Sequence, residues 1–369
     1  MDTTHSEDKD EVRDFIAQQL KSTPYACSSL TRLSGGTANF IYRGTLSGSH
    51  DSIIIKHSKD HVASNPNFKL DTQRSYFEEV TLEALGDLAP YSQENITVTT
   101  PRILHFDAEA NTQIHEDLPY SVNLKTFLLE KITNDVSESY SRSLGQSLGS
   151  WLRSFHEWGA KPEQKKTSDI ITKNTSMKQV KFYVNYGLLL DTIDNFPGVL
   201  EESRGIFEQV CDLATAESKT DIIDDTNGLL HGDFWTGNVL ISSNPLLEKA
   251  ETKIFAIDWE LTHIGHRSSD LGQMIAELYE TKLFKGVEHG LWIIEGFSKG
   301  YGPLSDEMAF RTAIHTGVHL ICWGSRVAGW GDEDQVRNVV EIGRNLVVQA
   351  WTKNKAWFEQ DPMGCLFRK

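Results

Sequence analysis

The chain has 369 residues, of which 39% are hydrophobic and 10% aromatic, enough apolar surface for more than one core and too much for a globally disordered chain. Lysine and arginine total 36 against 52 aspartates and glutamates, a formal net charge of -16, which argues against a nucleic-acid partner held through its phosphates. Cys27, Cys211, Cys322 and Cys365 show no C-x-x-C spacing, so neither a zinc site nor a disulfide framework is expected. The opening "MDTTHSEDKDEVRDF" is acidic where a targeting signal is basic, and no apolar run reaches the length of a membrane span. A cytoplasmic chain with no membrane partner is the expectation.

Val12, Phe15, Ile16 and Leu20 recur at helical spacing and predict an amphipathic N-terminal helix docked on the body. "LTRLSGG", "NFIYRGTL" and "SIIIKHS" follow as three short β-rich runs broken by turn residues, the pattern of an antiparallel meander. Residues 71–86 return to helical periodicity through Phe77, Leu82 and Leu85, with Gly86 where a helix stops. "PRILHFD" and "TQIHEDL" read as two more strands.

From about Ser121 helices dominate. "SLGQSLGSWLRSFHEW" places Leu144, Leu148, Trp151, Leu152 and Phe155 on one stripe, which makes Trp151 a core residue. Strands return once, at residues 229–260. The boundary falls in "HEDLPYS", where Pro119 forbids a simple helical continuation. The expected fold is α+β and two-lobed, with a small antiparallel-sheet lobe over residues 1–118 and a larger helical lobe over 119–369.

The segment "LLHGDFWTGNVLI", residues 229–241, sets His231, Asp233 and Asn238 on a loop after a short strand. Twenty residues beyond Asn238, "IFAIDWE" ends an apolar run on Asp258, Trp259 and Glu260. Phosphoryl transfer needs a carboxylate near the attacking hydroxyl and hard oxygen ligands for the metal on the phosphates. Asp233 suits the first task, and Asn238 and Asp258 the second. Glu260 is either a further metal ligand or solvent-facing.

The N-terminal region supplies the partners of such a site. Gly35 and Gly36 lie between two predicted strands, where backbone N–H groups can approach phosphates closely. Lys56 ends an apolar strand, and a lone lysine there is ordinarily just solvated. Glu78 lies on the same helix face as Leu82 and Leu85 and is therefore favoured over Glu79 as its inward-facing partner.

The order H-G-D-x-x-x-x-N and then D-W-E resembles the kinase loop H-R-D-x-x-x-x-N and D-F-G, with Gly232 in the place of the arginine and Trp259-Glu260 in that of Phe-Gly. Both departures together look like the aminoglycoside phosphotransferase and choline kinase superfamily. "SIIIKH", "RSYFE" and "IDWELTHIGHRSSDLG" are similar to its methylthioribose kinase branch, which includes fungal hydroxytryptamine kinase. The resemblance implies a protein-kinase-like fold, ATP and Mg2+ as cofactors, and a small-molecule hydroxyl acceptor. It further implies that Asp233 is catalytic, that Lys56 held by Glu78 fixes the phosphates, and that adenine lies along backbone groups of Glu116, Asp117 and Leu118. His231 then orients the loop. Asp270 either braces it or is a simple helix N-terminal carboxylate.

The sugar-kinase members of that branch carry a twin arginine, whereas "WGSRVAGW" here offers only Arg326, preceded by Ser325. An amine-bearing alcohol or phenol is the leading acceptor. A methylthioribose-type sugar kinase and an inactive nucleotide-binding pseudokinase are the alternatives. Trp323 and Trp330 read either as core packing or as an aromatic wall for an amine or indole. Acceptor selectivity is expected in residues 160–225 and 281–335, and no motif speaks to oligomeric state.

Overall fold

The computed structural model describes residues 4–34, 36–132, 136–242, 251–327 and 329–368, with the side chains of residues 4–10 left aside. The chain divides into two compact units, Met1–Glu83 with Pro101–Pro119, and Ala84–Thr100 with Tyr120–Lys369.

The first unit opens with α1 (Thr4–Leu20) and three strands, β1 (Cys27–Arg32), β2 (Phe40–Leu46) and β3 (Ser52–His57). A small hairpin, β4 (His61–Val62) and β5 (Asn65–Lys69), leads into α2 (Arg74–Leu85). The chain then gives β6 (Tyr91–Gln93) and β7 (Ile96–Thr99) to the second unit and returns with β8 (Ile103–Asp107) and β9 (Thr112–Glu116). The resulting sheet has the order β1-β2-β3-β9-β8 and is antiparallel throughout. Val12, Ile16 and Leu20 of α1 pack with Phe40, Tyr42, Ile53, Ile55 and Ile114 as one buried cluster. Phe15 departs from the expected face. It is 48% exposed and lies against the His57 ring, because the buried stripe of α1 runs through positions 12, 16 and 20.

The helix expected over residues 71–86 starts at Arg74. Asp71 Oδ1 accepts the Gln73 N–H at 3.0 Å, a local turn that competes with helical bonding until the next residue. Phe77, Leu82 and Leu85 are buried as their spacing requires.

In the second unit β10 (Ser121–Asn123) precedes α3 (Glu138–Gly159) and α4 (Thr175–Phe182), and shorter helices fill the interval to β11 (Asn227–Leu230). Strands β12 (Val239–Ser242), β13 (Thr252–Ala256) and β14 (His263–His266) are followed by α5 (Ser268–Lys285), α6 (His289–Tyr301), α7 (Asp306–Cys322) and α8 (Glu333–Trp351). A five-stranded sheet runs β10-β12-β13-β7-β6, with β13 parallel to β7 and the other neighbours antiparallel. β11 pairs with β14 in a separate ribbon. Strand structure therefore extends past the expected 229–260 interval, to residue 266 and back to residues 91–99 and 121–123.

The stripe of α3 is buried: Leu144, Leu148, Trp151, Leu152 and Phe155 are each at most 1% exposed. Glycines bring α3 and α6 into backbone contact. A Cβ on Gly145 or Gly149 would stand 2.2 or 2.1 Å from the carbonyl oxygens of Ile293 and Phe297, and one on Gly296 or Gly300 would stand 2.1 or 2.0 Å from those of Arg142 and Gln146. No helix among the described residues is long and apolar enough to cross a membrane.

Candidate active site

The loop between β11 and β12 is built around the carboxylate of Asp233. Gln273 Nε2 of α5 donates to its Oδ1 at 2.8 Å, and Asn238 Nδ2 donates to its Oδ2 at 2.9 Å. Asn238 also donates to the Asp233 carbonyl at 3.0 Å, so one amide closes the loop on itself. With both oxygens fixed and the side chain 28% exposed, the carboxylate is oriented yet open to a hydroxyl that donates to it.

Asp270 holds the loop from beneath. Its Oδ2 accepts the His231 N–H at 2.9 Å and its Oδ1 the Gly232 N–H at 3.0 Å. Burial alone would raise this carboxyl, but the hydrogen bonds from His156 at 3.1 Å and from the His231 N–H hold it below the ordinary value. Asp270 is fully buried, so the bracing alternative is the one the structure contains. His231 Nδ1 accepts the Asp233 N–H at 3.2 Å, and Nε2 donates to the Ile257 carbonyl at 2.9 Å. That pattern belongs to the neutral ring, and burial pushes its pKa down in the same sense. Gly232 explains the missing arginine: it has φ 82°, and a Cβ there would lie 2.0 Å from the Leu261 carbonyl.

Asp258 stands at the end of β13, in a left-handed backbone conformation (φ 67°, ψ 64°) that aspartate tolerates better than bulkier residues. The Ile257 N–H donates to the Asn238 carbonyl at 2.9 Å, which continues the β12–β13 ladder and sets Asn238 and Asp258 at neighbouring strand ends. Trp259 is fully buried against Phe155, Trp151 and His231, with ring centroids 5.0, 6.2 and 4.3 Å away. The tryptophan that replaces phenylalanine is thus an anchor for the acidic turn. Asn174 Nδ2 clasps that turn through the carbonyls of Glu260 and Thr262 at 3.1 and 2.8 Å. Glu260 is 1% exposed, not solvent-facing. One carboxylate oxygen of Asp258 and one of Glu260 lie within 4.8 Å of each other, hard donors suited to a divalent cation.

In the first unit Lys56 Nζ donates to both carboxylate oxygens of Glu78, at 2.9 and 2.7 Å, with both residues at most 5% exposed. Glu79 is half-buried, and burial with the nearby Glu83 pushes its carboxyl up to about 7. Glu116 binds Arg102 at 3.0 Å, and Asp117 binds Arg43 at 3.0 Å and Ser52 at 2.5 Å. These side chains are engaged within the unit, while Leu118 follows the end of β9. Gly36 is exposed in the bend between β1 and β2. Gly35 lies outside the described residues.

Sequence reasoning missed Lys181, Gln273 and Asn174. Lys181 is buried 4.0 Å from Asp233 Oδ1 and donates to Gln273 Oε1, and burial lowers its pKa. No motif marks it: a lysine in "KQVKF" reads as a solvated helix residue until α4 is seen to pack beside the loop.

The family model described as "Phosphotransferase enzyme family" matches residues 68–304, and the chain belongs to that family. It is 31% identical to the phosphotransferase FrzJ of Cladobotryum sp, over 100% of this chain and 99% of the relative. It is 23% identical to the 4-hydroxytryptamine kinase of Psilocybe cyanescens, with 92% of each covered. Against the methylthioribose kinase of Klebsiella pneumoniae (strain 342) identity is 24%, over 71% of this chain and 63% of the relative. Among solved structures, an aminoglycoside 2'-phosphotransferase mutant in a GDP complex superposes with a TM-score of 0.51 at 14% identity, covering 94% of this chain and 98% of that one. The protein is a small-molecule kinase with a protein-kinase-like fold.

Proposed function

We propose that this kinase moves the γ-phosphate of Mg-ATP to the hydroxyl of an amine-bearing alcohol or phenol, a class that includes the hydroxytryptamines. The observation that carries the acceptor-side assignment is the doubly hydrogen-bonded, part-exposed carboxylate of Asp233. Asp233 accepts the hydroxyl hydrogen and aims the oxygen for attack. Asn238, Asp258 and Glu260 hold the metal, which neutralises phosphate charge when bound. Lys56, fixed by Glu78, steadies the phosphates, which the backbone at Gly36 can approach. Adenine is held by backbone groups of Glu116 to Leu118. In this reading residues 1–118 form the nucleotide lobe, 119–369 the catalytic and acceptor lobe, and the protein works in the cytoplasm.

The sugar-kinase alternative is weakened by Arg326, whose guanidinium is taken by Thr192 Oγ1 at 2.8 Å and the Leu188 carbonyl at 3.4 Å. Phosphorus NMR with Mg-ATP and separate pools of hydroxytryptamines, methylthioribose, choline and aminoglycosides tests the proposal. A new phosphomonoester is expected from the hydroxytryptamine pool and is expected to vanish in Asp233→Asn, which retains ATP binding. Near-normal turnover by that variant would remove Asp233 from the chemistry.

A further inference from the structure

Helix α5 carries more than the brace and the clamp of the loop. Gln273, which touches Asp233, is followed on the same face by Glu277 four residues on and Glu280 seven residues on. Both glutamates are buried, at 7% and 0% exposure. Glu277 Oε1 meets His319 Nε2 at 3.1 Å, and its Oε2 is 3.9 Å from Lys125 Nζ with no hydrogen bond. Neither oxygen of Glu280 has a hydrogen-bond partner among the described residues. Burial first, then the Glu277 carboxylate, push the Glu280 carboxyl well above the ordinary range, as expected of a group held without its counter-ion.

Aromatic rings lie against the two basic side chains that face Glu277, Lys125 and His319. Lys125 Nζ lies 4.1 Å from the Trp330 ring centroid and 5.3 Å from that of Trp235, so the protein's own ammonium already sits among π faces beside Glu277. Trp323, 37% exposed, stacks on the His319 ring at 6.1 Å and brings the cluster to the surface. Lys125 and the His319 ring both face Glu277, while among the described residues no cation hydrogen-bonds Glu280, which leaves room for one further cation there.

We propose that Glu277 and Glu280, walled by Trp235, Trp323 and Trp330, receive the ammonium group of the acceptor. The acceptor is therefore a hydroxylated amine. At a helical rise of about 1.5 Å per residue, the two carboxylates lie roughly 6 and 10 Å along α5 from the residue that touches Asp233. That interval sets the spacing between the cationic nitrogen and the reacting hydroxyl, and it fits an aryl-ethylamine skeleton. The inference rests on Asp233 as the acceptor-side carboxylate.

Calorimetry without nucleotide tests it directly, with tryptamine against tryptophol, its neutral isostere. The wild-type chain is expected to bind tryptamine at least ten-fold more tightly, and Glu280→Gln and Glu277→Gln to lose that preference while ATP affinity holds. Equal affinities in the wild type, no binding of either probe at millimolar concentration, or a preference that survives both substitutions would overturn the subsite. A turnover assay separates the two levels. Equal, Asp233-dependent phosphorylation of 4-hydroxytryptamine and 4-hydroxyindole overturns the subsite and leaves the kinase standing. Tight tryptamine binding by a chain that phosphorylates no pool upholds the subsite and overturns the acceptor-side reading.

Discussion

A carboxylate that positions a hydroxyl is only as good as the donors that aim it. Gln273 fixes one oxygen of Asp233 and Asn238 the other. Gln273→Met keeps the side-chain volume and deletes the donor, so kcat is expected to fall about 10- to 100-fold while the Kd for ATP stays unchanged. Single-turnover kinetics with ATP titration checks it, and a rise in KM alone would assign Gln273 to acceptor binding. At this scale the sequence was legible where spacing is dictated by chemistry. Asp233 and Asn238 announce themselves as candidates because one short loop must present them together, and Asp258 because it closes an apolar run. Gln273 and Lys181 do not, since a polar residue in a buried helix face declares its role only through what packs opposite.

At the scale of elements, one strand and one helix are joined by the Lys56–Glu78 pair. Its residues are at most 5% exposed, so neither charge can fall back on water. Glu78→Ala leaves the ammonium uncompensated and is expected to cost about 3–5 kcal/mol, read from the urea midpoint. Loss of less than about 1 kcal/mol would mean that water enters the site. The choice of Glu78 over Glu79 followed from helical periodicity. The strands at residues 91–99 were not legible, because three- and four-residue strands carry too little alternation to register. Phe15 was misplaced for a related reason: four apolar residues at helical spacing define a stripe wider than the one that docks.

Across the whole molecule, acid should undermine both units. Burial first, then Lys59 and Arg74, lower His57 to about 4 in the first unit. Burial first, then Arg311, lower His266 to about 4 in the second. An unfolded histidine titrates near 6.5, so between about pH 6.5 and 4 the unfolded chain binds more protons than the folded one. The stability present above that window is lost as pH falls through it, on the order of 2 kcal/mol per histidine by pH 5. Urea unfolding at pH 7.5 and pH 5.0 measures the difference, and identical midpoints would show that these rings are hydrated in solution.

The glycines that let α3 and α6 meet backbone to backbone have a kinetic consequence. Gly145 and Gly296 are about 150 residues apart, so their contact closes a long loop and comes with a large entropic cost before any reward. Closing that seam is then expected to weigh on the rate of folding more than on the stability of the folded chain.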